Sequence, residues 1–163
     1  MTRQQRTPEV LRATSEHLFY EFWMFNSLAQ AMASGLFGQG VLNNAALESF
    51  TLHARAMLDF LYAEKPQADD VIAEDYFDKP SQWLTVRPEK TETLKVIHKR
   101  VGKEVAHLTY ARLEVTAEAK QWPFIKIASE INSVFDAFLN NVAENRLGSN
   151  VNSVASKDKA KNA

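Results

Sequence analysis

At 163 residues, with 45% hydrophobic content, three Trp, four Tyr and ten Phe, the chain is large and apolar enough to bury a core as one domain. It contains no cysteine, which excludes disulfides, thiol catalysis and thiolate metal sites. The formal net charge of −1 supplies no global field for a polyanion, but the charges are segregated along the chain. Glu64, Asp69, Asp70, Glu74, Asp75 and Asp78 form an acidic stretch interrupted only by Lys65. Arg87, Lys90, Lys95, Lys99, Arg100, Lys103 and Arg112 follow, against Glu89, Glu92 and Glu104. A local basic surface is one reading of that run, and a pair of ordinary solvated faces is the other.

In chain order, residues 1–7 are polar and read as a disordered N-terminus, with no apolar leader after the opening Met1-Thr2-Arg3. Thr7-Pro8-Glu9 is a helix start: a capping hydroxyl, a proline for the first turn, and an acid at the positive dipole end. Leu11, Leu18, Phe22, Phe25, Ala29 and Met32 then recur at helical spacing until Gly35, Gly38 and Gly40 intervene. Glu21, Asn26 and Gln30 interrupt the apolar stretch from Leu18 to Met32, which therefore reads as a buried helix and not a membrane span. A cytoplasmic protein with no membrane partner is expected.

A second helix, capped by Asn43 or Asn44, carries Leu47, Phe50, Ala54, Leu58 and Leu61, with Ala46, His53, Met57 and Phe60 beside them. Residues 64–90 are irregular: a short helix over Val71 to Phe77, then an extended connection through Lys79-Pro80 and Arg87-Pro88, anchored by Trp83. A third helix begins near Pro88 and carries Leu94, Ile97 and Val101 toward a break at Gly102, with helical propensity resuming from Lys103 to about Lys120. Gln121-Trp122-Pro123 opens the last helix, whose stripe is Phe124, Ile127, Ile131, Phe135, Phe138 and Val142, and Gly148 stops it. Residues 148–163 read as a disordered tail. No segment alternates with period two, so the expected fold is all-α: one domain over 8–147, a compact bundle of four to five main helices.

The chemistry concentrates between His98 and Arg112. Arg100 and His107 are seven residues apart, two helical turns and roughly 20° of offset, so an unbroken helix presents both to one side. An imidazole moves protons near neutral pH, and a guanidinium holds a phosphate or its pentacoordinate transition state. Phosphodiester cleavage requires both abilities and no metal. The alternative is a histidine hydrogen-bonded at a helix kink beside a solvated arginine.

Arg100-x6-His107, late in a helical domain and ahead of a terminal helix, resembles the R-x4-6-H signature of the HEPN superfamily, with Ala106-His107 and Gly102 similar to the motif's usual setting. Val101 departs from the pattern, where a polar residue usually follows the arginine. The resemblance implies a homodimer in which two such motifs meet to form a metal-independent RNase, in a bacterial toxin or defence system often paired with a nucleotidyltransferase-type antitoxin. Arg100 and His107 would be the catalytic pair. Lys99, Lys103 and Arg112, with Arg55 from the second helix, would hold the RNA backbone.

The second cluster, Glu48, His53, Arg55 and Asp59, reads mainly as a structural network with an Arg55–Asp59 pair one turn apart. Glu104-Val105-Ala106-His107 is a single Glu-x-x-His with no second copy, so neither a metal nor another cofactor is expected. Phe19, Tyr20, Phe22, Trp23 and Phe25 cover more than one face of the first helix, which suggests core packing plus a subunit contact. The competing functional class is a non-catalytic helical interaction protein that forms a dimer.

Overall fold

Thr7 begins the fold as its spacing predicts: its side chain accepts from the Val10 amide at 3.4 Å, and Pro8 occupies the first turn. The computed structural model of the chain describes residues 4–101, 110, 113, 116 and 121–154. Helix α1 spans Pro8–Ala33 and α2 spans Val41–Leu61, joined by a turn in which Gly35, Gly38 and Gly40 adopt φ of 71°, 59° and 106°. Those left-handed angles strain any residue bearing a Cβ. The turn also moves the start of α2 ahead of the expected Asn43 or Asn44 cap, since Gly40 is the N-cap and contributes no side-chain bond.

The remaining elements are a 3-10 turn at Ala73–Tyr76, α3 at Pro80–Val86, α4 at Glu92–Arg100, α5 at Phe124–Asn141 and a second 3-10 turn at Glu144–Arg146. All regular structure among the described residues is helical. None of these helices is long and apolar enough to cross a membrane.

Helix α1 buries Leu11, Leu18, Phe25, Ala29 and Met32, the expected stripe except for a half-buried Phe22, and packs chiefly on α2 and α5. Helix α2 buries Phe50, Ala54, Met57, Leu58, Phe60 and Leu61, which explains its broad apolar surface: α1, α4 and α5 all cover it. Phe138 of α5 is the hub of the core. Its ring meets Phe60 at 5.1 Å, Tyr76 at 5.5 Å and Trp83 at 5.9 Å, each edge to face, and Phe135 at 5.8 Å in a stack. Each such ring, fully buried, contributes on the order of 1.5–3 kcal/mol relative to exposure.

Three expectations change along the rest of the chain. The segment expected to be extended between Lys79 and Arg87 is helix α3, because Pro80 sits at the helix start, where a missing N–H costs nothing. Trp83 nevertheless anchors it as expected, fully buried, with Nε1 donating to the Leu61 carbonyl at 3.1 Å. Helix α4 starts at Glu92, a turn beyond Pro88, because Thr91 caps it: the Thr91 hydroxyl accepts from the Leu94 amide at 3.2 Å. Helix α5 ends at Asn141, short of Gly148.

The domain also extends beyond both assigned limits. Residues 149–154 are helical, with Val151 only 1% exposed, so the first part of the expected tail belongs to the core. Gly148 has a packing role there: its amide donates to Ser15 Oγ at 2.7 Å, and an added Cβ would lie 2.0 Å from Glu16 Oε1 and 3.0 Å from the Arg12 carbonyl. At the other end, within the stretch read as disordered, Arg6 donates to the Ala68 carbonyl at 2.8 Å and Thr7 caps α1.

Candidate functional site

Helix α4 carries the basic run, and its amphipathic spacing decides which members face together. Leu94, Ile97 and Val101 are buried against the bundle, which leaves Lys95, His98 and Lys99 on the opposite flank. There they border a cleft of about 700 Å³ with Arg87 and Lys90 from the connection before α4. Tyr62, Glu64, Leu84, Pro88 and Glu89 complete much of its wall. A smaller hollow of about 420 Å³ shares Tyr62, Glu64 and His98 with it and adds Arg55 and Asp59 from α2.

Tyr62 is the platform of the cleft. Its hydroxyl donates to the Pro88 carbonyl at 3.0 Å, and its ring lies under Arg87 at 4.9 Å and Lys90 at 5.3 Å. Burial pushes the Tyr62 phenol above its ordinary range, against the pull of Arg87, so it stays a donor. Arg87 is tied to the Leu61 carbonyl at 3.3 Å, the same oxygen that receives the Trp83 indole. The core thus fixes the cation nearest the platform.

His98 sits where the two hollows meet. Nε2 lies 2.7 Å from Asp59 Oδ1, and Nδ1 lies 2.7 Å from Lys90 Nζ. Arg55 Nε donates to the other Asp59 oxygen at 3.3 Å. Burial alone would raise the Asp59 carboxyl, but the hydrogen bond from His98 and the hydrogen bond and charge of Arg55 hold the group below its ordinary value. An ionised Asp59 only accepts, so Nε2 carries hydrogen and Nδ1 receives the Lys90 ammonium. Burial pushes the Lys90 ammonium below its usual range, with Glu64 and Asp59 opposing that shift. A carboxylate, an imidazole and an amine are therefore wired in series at the edge of a basic cleft, an arrangement able to bind an oxyanion and relay a proton.

The expected site residues fall into three groups. Lys99 borders the larger cleft and Arg55 the smaller, so the structure brings them to one continuous surface through His98 and Asp59. Arg100 lies elsewhere: its guanidinium is 4.1 Å from the centre of the Trp122 ring, and Nη1 donates to the Gln121 carbonyl at 3.2 Å. One residue is 100° of helix, so Lys99 and Arg100 do not share a face. His107, Lys103 and Arg112 lie outside the described residues.

His53 is satisfied structurally, with Nδ1 2.6 Å from Glu21 Oε2 and its ring edge-on to Tyr20. Sequence reasoning missed the grouping of Asp59, Tyr62, Arg87, Lys90 and His98. The spacing of Asp59 and Tyr62 places them near one another at the C-terminal end of α2, but no local pattern links them to His98, 39 residues beyond Asp59. Comparison with known proteins gives no match to a family, to a curated protein or to a solved structure.

Proposed function

We propose that this protein binds RNA through the α4 cleft and, as the resemblance to HEPN proteins implies, cleaves it without a metal. By that resemblance Arg100, on the adjoining face of α4 outside the cleft, would stabilise charge on a phosphate where the RNA runs on past the cleft, and His107 would act there as acid and base. The observation that carries the reading is the cleft itself: Arg87, Lys90, Lys95 and Lys99 line one cavity in a chain whose net charge is −1. Cations gathered this way on a neutral protein hold a polyanion by local contact and counterion release, not by a general field. Lys103 and Arg112 would extend the phosphate track, and Arg55 would border it through the smaller hollow. A toxin or defence role, with a nucleotidyltransferase-type antitoxin, belongs to the same proposal.

The test is incubation of mixed RNA with wild-type protein, His107→Ala and the Lys95→Ala/Lys99→Ala double variant in EDTA, with binding followed by fluorescence anisotropy. Cleavage by wild type only, and binding weakened at least tenfold in the double variant, are the expected results. RNA left both unbound and intact by wild type removes the proposal.

A second reading has its own observation. Tyr20, Trp23 and Leu52 are 50%, 52% and 56% exposed on α1 and α2, and the Tyr20 and Trp23 rings lie 6.5 Å apart. Exposed aromatics of this kind suit a subunit contact. Under a non-catalytic dimeric reading, Trp23→Ala is expected to shift sedimentation toward monomer while RNA has no effect on the protein.

A further inference from the structure

The bond between Lys90 and His98 blocks the one imidazole nitrogen that could take a proton. Asp59 occupies Nε2–H at 2.7 Å, and the Lys90 ammonium occupies Nδ1 at 2.7 Å. Protonating Nδ1 in this state would set two cations against each other at hydrogen-bond distance. The arrangement changes if Lys90 finds a better acceptor. Its flexible stem ends at the wall of the 700 Å³ cleft, where Arg87, Lys95 and Lys99 already gather positive charge.

We propose that the α4 cleft is a phosphodiester site in which binding is coupled to proton uptake: the entering phosphate draws Lys90 away from His98 Nδ1, and the vacated nitrogen takes a proton from solvent. The protonated ring then faces the phosphate beside Lys90, with Nε2–H still held by Asp59. The charged groups around His98 are Asp59 and Arg55 from α2, Glu64 and Lys65 just beyond it, Asp70, Arg87, Glu89 and Lys90 from the connection, and Lys95 and Lys99 from α4. Anion binding and proton uptake at Nδ1 favour each other, so affinity rises as pH falls. The inference deepens the RNA reading and rests on it for the ligand's identity, but not for the proton coupling.

The test uses the full chain and two probes without a proton to exchange between pH 6 and 8: a 2′-O-methyl oligouridylate lacking terminal phosphates, which cannot be cleaved, and sulfate. Affinity is measured at pH 6, 7 and 8 at constant ionic strength, and proton uptake by calorimetry in two buffers of different ionisation heat. Wild type is expected to bind the oligonucleotide about tenfold more tightly at pH 6 than at pH 8, with net proton uptake near neutrality. His98→Gln is expected to lose that uptake. Lys90→Met is expected to lose that uptake as well, since no ammonium then leaves Nδ1 on binding, while the oligonucleotide still binds.

Binding without proton uptake, or uptake retained in His98→Gln, overturns the coupling while leaving RNA binding intact. Sulfate bound with uptake beside an oligonucleotide that does not bind overturns the RNA reading and keeps the coupling. Failure of both probes to bind overturns both.

Discussion

Asp59 shows how one side chain can serve both stability and the site. It takes Arg55 on one oxygen and His98 on the other, joining α2 to α4 across the sequence. Because its folded-state value lies below the ordinary 3.8, the stabilisation is fully present above that value and is lost as pH falls through the lower one. The side chain is 53% exposed, so solvent screens the pair and the effect is modest. Asp59→Asn is expected to lower the melting temperature at pH 7, and the gap from wild type is expected to close as pH falls below the ordinary 3.8. Circular dichroism melts across that range check it, and a gap constant with pH would show that the carboxylate charge contributes nothing.

At the scale of elements, the long helices were the legible part. In α1, α2 and α5 the apolar residues recur often enough for periodicity to overwhelm local noise, and most of the stripes are the buried faces. Short elements were not legible, because one ambiguous residue decides them. Pro80 ends a helix in one context and begins one in another, and only the Leu61 carbonyl beneath the Trp83 indole shows which applies. The candidate site was half legible for a related reason. The basic run on α4 is visible in the sequence, but the Asp59–His98–Lys90 chain closes through tertiary packing that no spacing encodes.

Gly148 is the clearest case of a residue whose sequence reading and structural role differ. Its neighbour across the contact, Glu16, is bound by the Asn150 side chain at 2.6 Å and its amide at 3.3 Å. Gly148→Ala must displace that carboxylate and press on the Arg12 carbonyl. Overpacking of this kind costs about 1–3 kcal/mol. Urea unfolding is expected to show that loss, and a variant as stable as wild type would mean that the 149–154 segment docks loosely.

For the whole molecule, charge is organised by position and not by total. Under the proposed RNA reading, a net charge of −1 makes local cations, among them those of the α4 cleft, the source of attraction for a polyanion. Single-stranded RNA releases about 0.7 counterion per phosphate neutralised, so under that reading contacts through Arg87, Lys90, Lys95 and Lys99 would give a log–log salt slope of about −3. Lys95→Ala and Lys99→Ala are each expected to flatten it by about 0.7 in anisotropy titrations. A slope unchanged in both variants would place the RNA elsewhere on the protein.

Arginines near both ends of the described chain fasten it to distant backbone. Arg12 donates to the Asn145 carbonyl at 2.9 Å, and Arg146 donates to the Tyr76 carbonyl at 2.9 Å and pairs with Asp78. With Ser15 and Glu16 holding Gly148 and Asn150, the beginning of the path lies against its end, and the backbone traces something close to a ring. A ring has no privileged starting point. The exposed glycine turn between α1 and α2 is therefore a natural place to reopen it: a chain beginning at Gln39, with a linker that runs back along α1 from residue 154 to residue 4, is expected to keep the helices and the contacts of the α4 cleft. The order in which the helices leave the ribosome is then separable from the structure they form.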